Sequence, residues 1–191
     1  MTKHIEAMKL LQRHFDIALE TPDGIKKLRE LILTLAMQGK LVPQDPKDQP
    51  ASELLKETNE DISQKNDNWK YLKLHRVLEF NYGKGVPKES ISNEGFPVYG
   101  ANGLLKYSSE YLIESKCLII GRKGTAGAIN IVDGPCWPSD VTYYVIPPRY
   151  IDFKFAYYLL LNLNLPSLAK GIKPGLNRNE AYELIVGIPP H

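Results

Sequence analysis

Phe96-Pro97-Val98-Tyr99-Gly100-Ala101-Asn102-Gly103-Leu104 sets the fold of this chain. A short apolar run (Phe96, Val98, Tyr99) breaks into Gly100-Ala101-Asn102-Gly103, and apolar residues resume at Leu104 and Leu105. Gly and Asn accept positive φ at little cost, so the backbone can reverse here. The stretch predicts a strand, a tight turn and a second strand. Its tip carries an aromatic ring and an amide, Tyr99 and Asn102.

Outward from this hairpin, residues 69–191 read as short strands, long Gly/Pro/Asn loops and two or three helices. Cys117-Leu-Ile-Ile is a buried strand by composition, Ala128–Val132 its return, and Val141–Ile146 a β-branched and aromatic strand ended by two prolines. Leu74–Phe80 predicts a short helix or turn and Asn81–Lys88 a Gly/Pro loop. Pro135–Asp140 predicts a rigid loop. Asp152–Leu163 predicts a helix, Lys170–Asn179 a loop, and Leu184–Ile188 a last strand. Asn177 with Glu180 forms an N-cap pair for a short final helix.

The N-terminal third has a different texture. Ile5, Met8, Leu11, Phe15 and Ala18/Leu19 repeat at helical spacing over residues 3–20. Thr21-Pro22-Asp23-Gly24 breaks that helix, residues 25–38 form a second, and Gly39 caps it. Pro43, Pro46 and Pro50 impose a loop, and a short helix follows with Leu54 and Leu55 as anchors. The polar stretch 58–68 reads as a linker, dividing the chain into a helical segment, 1–67, and a main domain, 68–191. The fold class expected is α+β: helical segment first, mixed α/β domain second.

A chain of 191 residues, 43% apolar and 24% charged, fits a soluble globular protein. No signal-peptide pattern or bilayer-length apolar run is visible, so a cytoplasmic protein without membrane contact is expected. Cys117 and Cys136 lack histidines at metal spacing and read as reduced thiols. Residues 1–68 carry 10 Lys/Arg and 12 Asp/Glu, net −2; residues 69–191 carry 14 and 10, net +4. The basic excess lies in the Gly/Tyr/Asn-rich part, which permits a polyanionic partner.

Basic residues recur in its loops: Lys84 and Lys88, Arg122 and Lys123, then Lys170, Lys173 and Arg178. Tyr82, Tyr99, Asn102, Thr125 and Asn177 lie among them. Lysine and arginine neutralise phosphates, while Arg, Asn and Gln read base edges through paired hydrogen bonds. Lone surface lysines otherwise serve solubility, and sequence does not reveal whether the loops converge. Gly121-Arg-Lys-Gly-Thr-Ala-Gly is either a hairpin turn with exposed basic residues or a phosphate-contacting loop. It lacks the ending and the following helix of a Walker loop. His75 and Asp140 are the nearest approach to catalytic residues, but no Ser-His-Asp spacing, Cys-His pair or carboxylate cluster surrounds them.

These stretches together resemble the specificity subunit of type I restriction–modification systems. Gly24-Ile-Lys-Lys-Leu-Arg-Glu-Leu-Ile-Leu, Gly39-Lys-Leu-Val-Pro-Gln-Asp-Pro and Pro50-Ala-Ser-Glu-Leu-Leu look like its helical conserved segment. Phe96–Gly103, Gly121–Gly127, Trp137-Pro-Ser-Asp and Gly171-Ile-Lys-Pro-Gly-Leu-Asn look like loops of its target recognition domain. The resemblance implies a non-catalytic subunit that reads one half of a split double-stranded DNA target. It implies docking of modification subunits, which use S-adenosylmethionine to methylate adenine, and of restriction subunits, which use ATP and magnesium. The subunit itself would bind no cofactor. One recognition domain is present where the family pattern has two, so the chain is expected to be a half-subunit or fragment, and self-pairing would mimic the two-domain arrangement. Two other classes stand beside this reading: a small metal-dependent nuclease or phosphate-binding enzyme using Gly121–Gly127 and Asp140, and an adaptor binding through residues 25–57.

Overall fold

The computed structural model describes residues 6, 9, 12, 13, 15, 20–43, 45, 47, 48, 51, 69–170 and 174–190. The chain divides into two compact units, Met1–Tyr71 with Gly187–His191, and Leu72–Val186.

In the first unit, Gly24–Met37 is helix α1. It starts after Asp23 at φ 61° and stops at Gly39, whose φ of 65° lets Gly39 N donate to Ala36 O (3.0 Å) and Lys40 N to Leu35 O (2.9 Å). These bonds satisfy carbonyls at the helix end, as the glycine predicts. Of the helix expected over residues 3–20, Glu6, Lys9, Gln12, Arg13, Phe15 and Glu20 are described and helical. Ile5, Met8, Leu11, Ala18 and Leu19, the Leu54/Leu55 helix and the linker 58–68 lie outside the described residues.

The strands are β1 (Lys70–Lys73), β2 (Asn81–Tyr82), β3 (Ile91–Ser92), β4 (Phe96–Gly100), β5 (Gly103–Ser108), β6 (Cys117–Gly121), β7 (Ile129–Val132), β8 (Trp137–Pro138), β9 (Thr142–Val145) and β10 (Ile185–Ile188). They form a β1-β10 pair and two four-stranded sheets, β2-β9-β6-β7 and β3-β5-β4-β8. Helix α2 (Phe153–Asn162) packs on β7, and helix α3 (Arg178–Tyr182) follows the last loop. The architecture is α+β, as expected.

β6 is the centre of the second unit. Every residue from Cys117 to Gly121 is buried, which its uniformly apolar composition demands. Its two faces pack differently. Cys117 and Ile119 join Ile113, Val132 and Cys136 in one cluster, against which Tyr99, Leu112 and Tyr144 are packed. Leu118 and Ile120 are also fully buried, as are Phe80, Leu159, Leu160 and Leu165 elsewhere in this unit.

The hairpin forms as the turn chemistry requires. β4 and β5 are antiparallel, with a bulge between Val98 and Tyr99 and closure at Gly100↔Gly103, leaving Ala101 and Asn102 as the turn. Two expectations are corrected. Pro135–Asp140 is not only a loop, because Trp137–Pro138 pairs in parallel with Val98–Tyr99. Asn81–Lys88 likewise begins as a strand, because Asn81 and Tyr82 pair with Tyr144 and Tyr143. Leu74–Arg76, Lys88–Ser90 and Leu165–Leu168 are 3-10 turns.

Candidate nucleic-acid interface

Three distant stretches meet at the end of β6. Arg122 follows β6, Tyr82 ends β2, and Arg178 opens α3. The Arg122 guanidinium lies 5.4 Å from the centre of the Tyr82 ring, and that of Arg178 lies 4.8 Å from it. Arg178 also sits 5.6 Å from the Tyr182 ring. Tyr82 is held in turn by an edge-on contact with Tyr143, ring centres 5.1 Å apart. Cation–ring attraction of this kind is worth about 0.5–2 kcal/mol per contact.

Each arginine is also tethered to the backbone. Arg122 Nη2 donates to Asp140 O at 2.8 Å, and Arg178 Nη1 donates to Phe80 O at 3.3 Å. The Nε atoms of both arginines and the Ser139 hydroxyl are buried without a hydrogen-bond partner. Such atoms are rare and costly, about 1–3 kcal/mol each. Among the described ion pairs, neither arginine has a carboxylate partner. The result is a doubly cationic, ring-stacked cluster.

Basic loops surround it. Lys123 and Lys170 each form a β-bridge with Gly175, so the two loops lie side by side. Both side chains are exposed; Lys170 meets Glu180 at 3.3 Å in a solvated ion pair. The exposed Lys84 is fixed through its backbone, with its N–H on Pro138 O (3.0 Å) and its carbonyl receiving Trp137 Nε1 (2.8 Å). Gly83 permits this approach: a Cβ there would stand 2.1 Å from Ser139 O.

The remaining sequence candidates fall elsewhere. Asn102 is exposed at the hairpin turn, and the neighbouring Ala101 abuts the end of β6, where a Cβ on Gly121 would come within 3.0 Å of the Ala101 Cβ. Tyr99 packs against the β6 cluster rather than standing free; burial, then the Cys136 and Cys117 thiols, raise its phenol pKa above the usual value. Asn177 caps α3 by accepting from Asn179 N at 2.9 Å, while Glu180, expected to complete the cap pair, turns its carboxylate to Lys170. Lys88 is exposed in its 3-10 turn, and Lys173 lies outside the described residues. Thr125 is exposed in the glycine loop. Tyr82 stood among the basic loops in the sequence but not as a site residue, and Tyr143 and Tyr182 stood in no candidate site. Their signal was the aromatic richness of the domain, which carries no address.

Four amides of the Gly121–Gly127 loop are already bonded to backbone carbonyls. Gly121 N donates to Ala128 O, Arg122 N and Lys123 N to Val141 O, and Gly127 N to Gly121 O. Those four N–H groups are unavailable as a phosphate cradle. Asp140 is exposed, and among the described residues no three His, Cys, Asp or Glu side chains gather as a metal site.

Residues 66–181 match the family model described as Type I restriction modification DNA specificity domain. The chain belongs to this family. Among specificity subunits, it is 56% identical to the EcoEI subunit of Escherichia coli over 25% of this chain and 11% of that one. It is 32% identical to the putative type I specificity subunit S.MpnORF638P of Mycoplasma pneumoniae, over 56% of this chain and 30% of the other. The specificity-domain fold recurs in the S subunit from M. genitalium, with TM-score 0.57, 18% identity, and coverage of 66% of this chain and 36% of that one. It recurs in HsdS from Thermoanaerobacter tengcongensis, with TM-score 0.56, 15% identity, and coverage of 97% and 45%. The chain spans less than half the length of each of these proteins.

Proposed function

We propose that this chain is a sequence-reading half of a type I specificity subunit. In this reading residues 72–186 recognise one half of a bipartite double-stranded DNA target and do no chemistry themselves. The exposed lysines neutralise phosphates and give binding its salt dependence. Loop-tip amides and arginines contact base edges. Modification subunits, carrying S-adenosylmethionine, and restriction subunits, using ATP and magnesium, dock on the assembled protein in the cytoplasm. A second copy would supply the other half-site. No helix among the described residues is long and apolar enough to cross a membrane.

Within this family, the observation that carries the reading is the convergence of Arg122, Arg178, Lys123 and Lys170 around Tyr82 and Gly175. The test is co-expression with a type I modification subunit, co-purification, and mapping of methylated adenines. The expected result is a stable complex that methylates sites sharing one sequence. Methylation sites that do not depend on this chain would contradict it.

A further inference from the structure

Phosphate contact and base contact ask different things of a cation. A phosphate needs charge nearby, which an ammonium on a flexible stem supplies. A base edge needs a planar fork held at a fixed angle, as when an arginine donates twice to the O6 and N7 atoms of guanine. Both kinds of cation occur on this surface. Lys84, Lys123 and Lys170 are exposed. Arg122 and Arg178 are half-buried, and each is fixed twice, by a backbone carbonyl and by the Tyr82 ring.

The tethers leave donors over. Arg122 is held through one hydrogen of Nη2 and Arg178 through one hydrogen of Nη1; each Nη carries two hydrogens, so among the described contacts three of the four Nη–H donors of each arginine have no protein partner, enough for a two-pronged contact. We propose that Arg122 and Arg178 are the base-reading residues of this surface, directed at the paired acceptors of guanine, and that Tyr82 is their positioning residue. The three lysines then serve the phosphate backbone. This inference rests on the DNA-binding reading above and adds to it which side chains carry specificity. A phosphate also offers paired acceptors, so the test must separate the two.

Duplexes with a randomised core are selected on the 191-residue chain, and affinities for the enriched and a scrambled duplex are measured by fluorescence anisotropy across salt concentrations. Arg178→Lys and Arg122→Lys keep the charge and lose the fork. Each should weaken the enriched duplex about 10-fold or more, leaving the scrambled duplex within about 2-fold and the salt slope unchanged. Tyr82→Leu should act like Arg178→Lys, while Tyr82→Phe should retain specificity, because it is the ring that meets the two guanidiniums. Thermal unfolding checks that each variant is folded, and the lysine variants decide the matter if Tyr82→Leu is not. Replacing one guanine of the enriched duplex by 7-deazaguanine should abolish the difference between wild type and Arg178→Lys; a methylphosphonate should not. Equal losses on both duplexes, a shallower salt slope, or no loss would overturn the inference. A wild-type chain that enriches no common sequence would overturn the DNA-reading function itself.

Discussion

The Leu176 N–H donates to the Arg122 carbonyl oxygen at 2.8 Å. This bond, with the Lys123 and Lys170 bridges to Gly175, ties the loop after β6 to the loop before α3. The Tyr143 hydroxyl completes the tie by donating to the Leu176 carbonyl at 3.0 Å. Two segments far apart in sequence therefore present their basic residues from one backbone platform.

Tyr143 is 2% exposed, so Tyr143→Phe removes a buried hydrogen bond and orphans the Leu176 carbonyl. The expected cost is about 1–2 kcal/mol of stability. Urea unfolding should give a lower midpoint with an unchanged slope. An unchanged midpoint would mean that the hydroxyl is not holding the loop.

The glycines of the Gly121–Gly127 loop should differ sharply in tolerance. A Cβ on Gly127 would stand 2.4 Å from Pro166 N, and its φ is 81°; one on Gly121 would stand 2.1 Å from Thr125 O. Gly124 has the same φ of 81° but open space around it. Gly124→Ala should cost about 1–2 kcal/mol from backbone strain alone. Gly121→Ala and Gly127→Ala should cost more, because backbone must move. Comparable melting temperatures for all three would refute this ordering.

Cys117 and Cys136 are fully buried free thiols with sulfurs 3.7 Å apart. The hydrogen bond to Cys136, with burial, pushes the Cys117 thiol above its usual pKa. The same bond lowers the Cys136 pKa, so the inertness of the pair rests on access: both residues are fully buried, out of reach of a reagent in the folded protein. Ellman's reagent is expected to find no fast-reacting thiol in the native chain and both in denaturant.

Glu183 pairs with Lys73 at 2.7 Å, and this contact lowers its carboxyl pKa below the ordinary 4.5. A depressed carboxylate stabilises the fold above its unfolded pKa and loses that contribution as pH falls through the folded value. Glu183 is exposed, so the effect is small. Glu183→Gln should lower stability slightly at neutral pH, with the gap from wild type closing in acid. A gap that widens in acid would contradict the sign.

What could be read in advance was what is written locally. The Phe96–Leu104 hairpin, the buried Cys117–Gly121 strand, the Gly39 stop and the Asn177 cap each rest on neighbouring residues, and each formed. Trp137–Pro138 and Asn81–Tyr82 escaped because a two-residue strand has no period of its own and exists only through its partner. The same limit applied to the site. Arg122 and Arg178 were visible as basic loop residues, but Tyr82 acquires its role only when β2 pairs with β9 and brings its ring against both guanidiniums. The sequence could not supply that juxtaposition, because nothing local to any of the three residues encodes it.

The most direct test of sequence reading is the ratio of affinities of the wild-type chain for its selected duplex and for a scrambled duplex at physiological salt. A single enriched sequence bound at least about 10-fold tighter than the scrambled one is the predicted result. Equal affinities, both falling with salt along the same slope, would contradict it and leave only a non-specific polyanion surface.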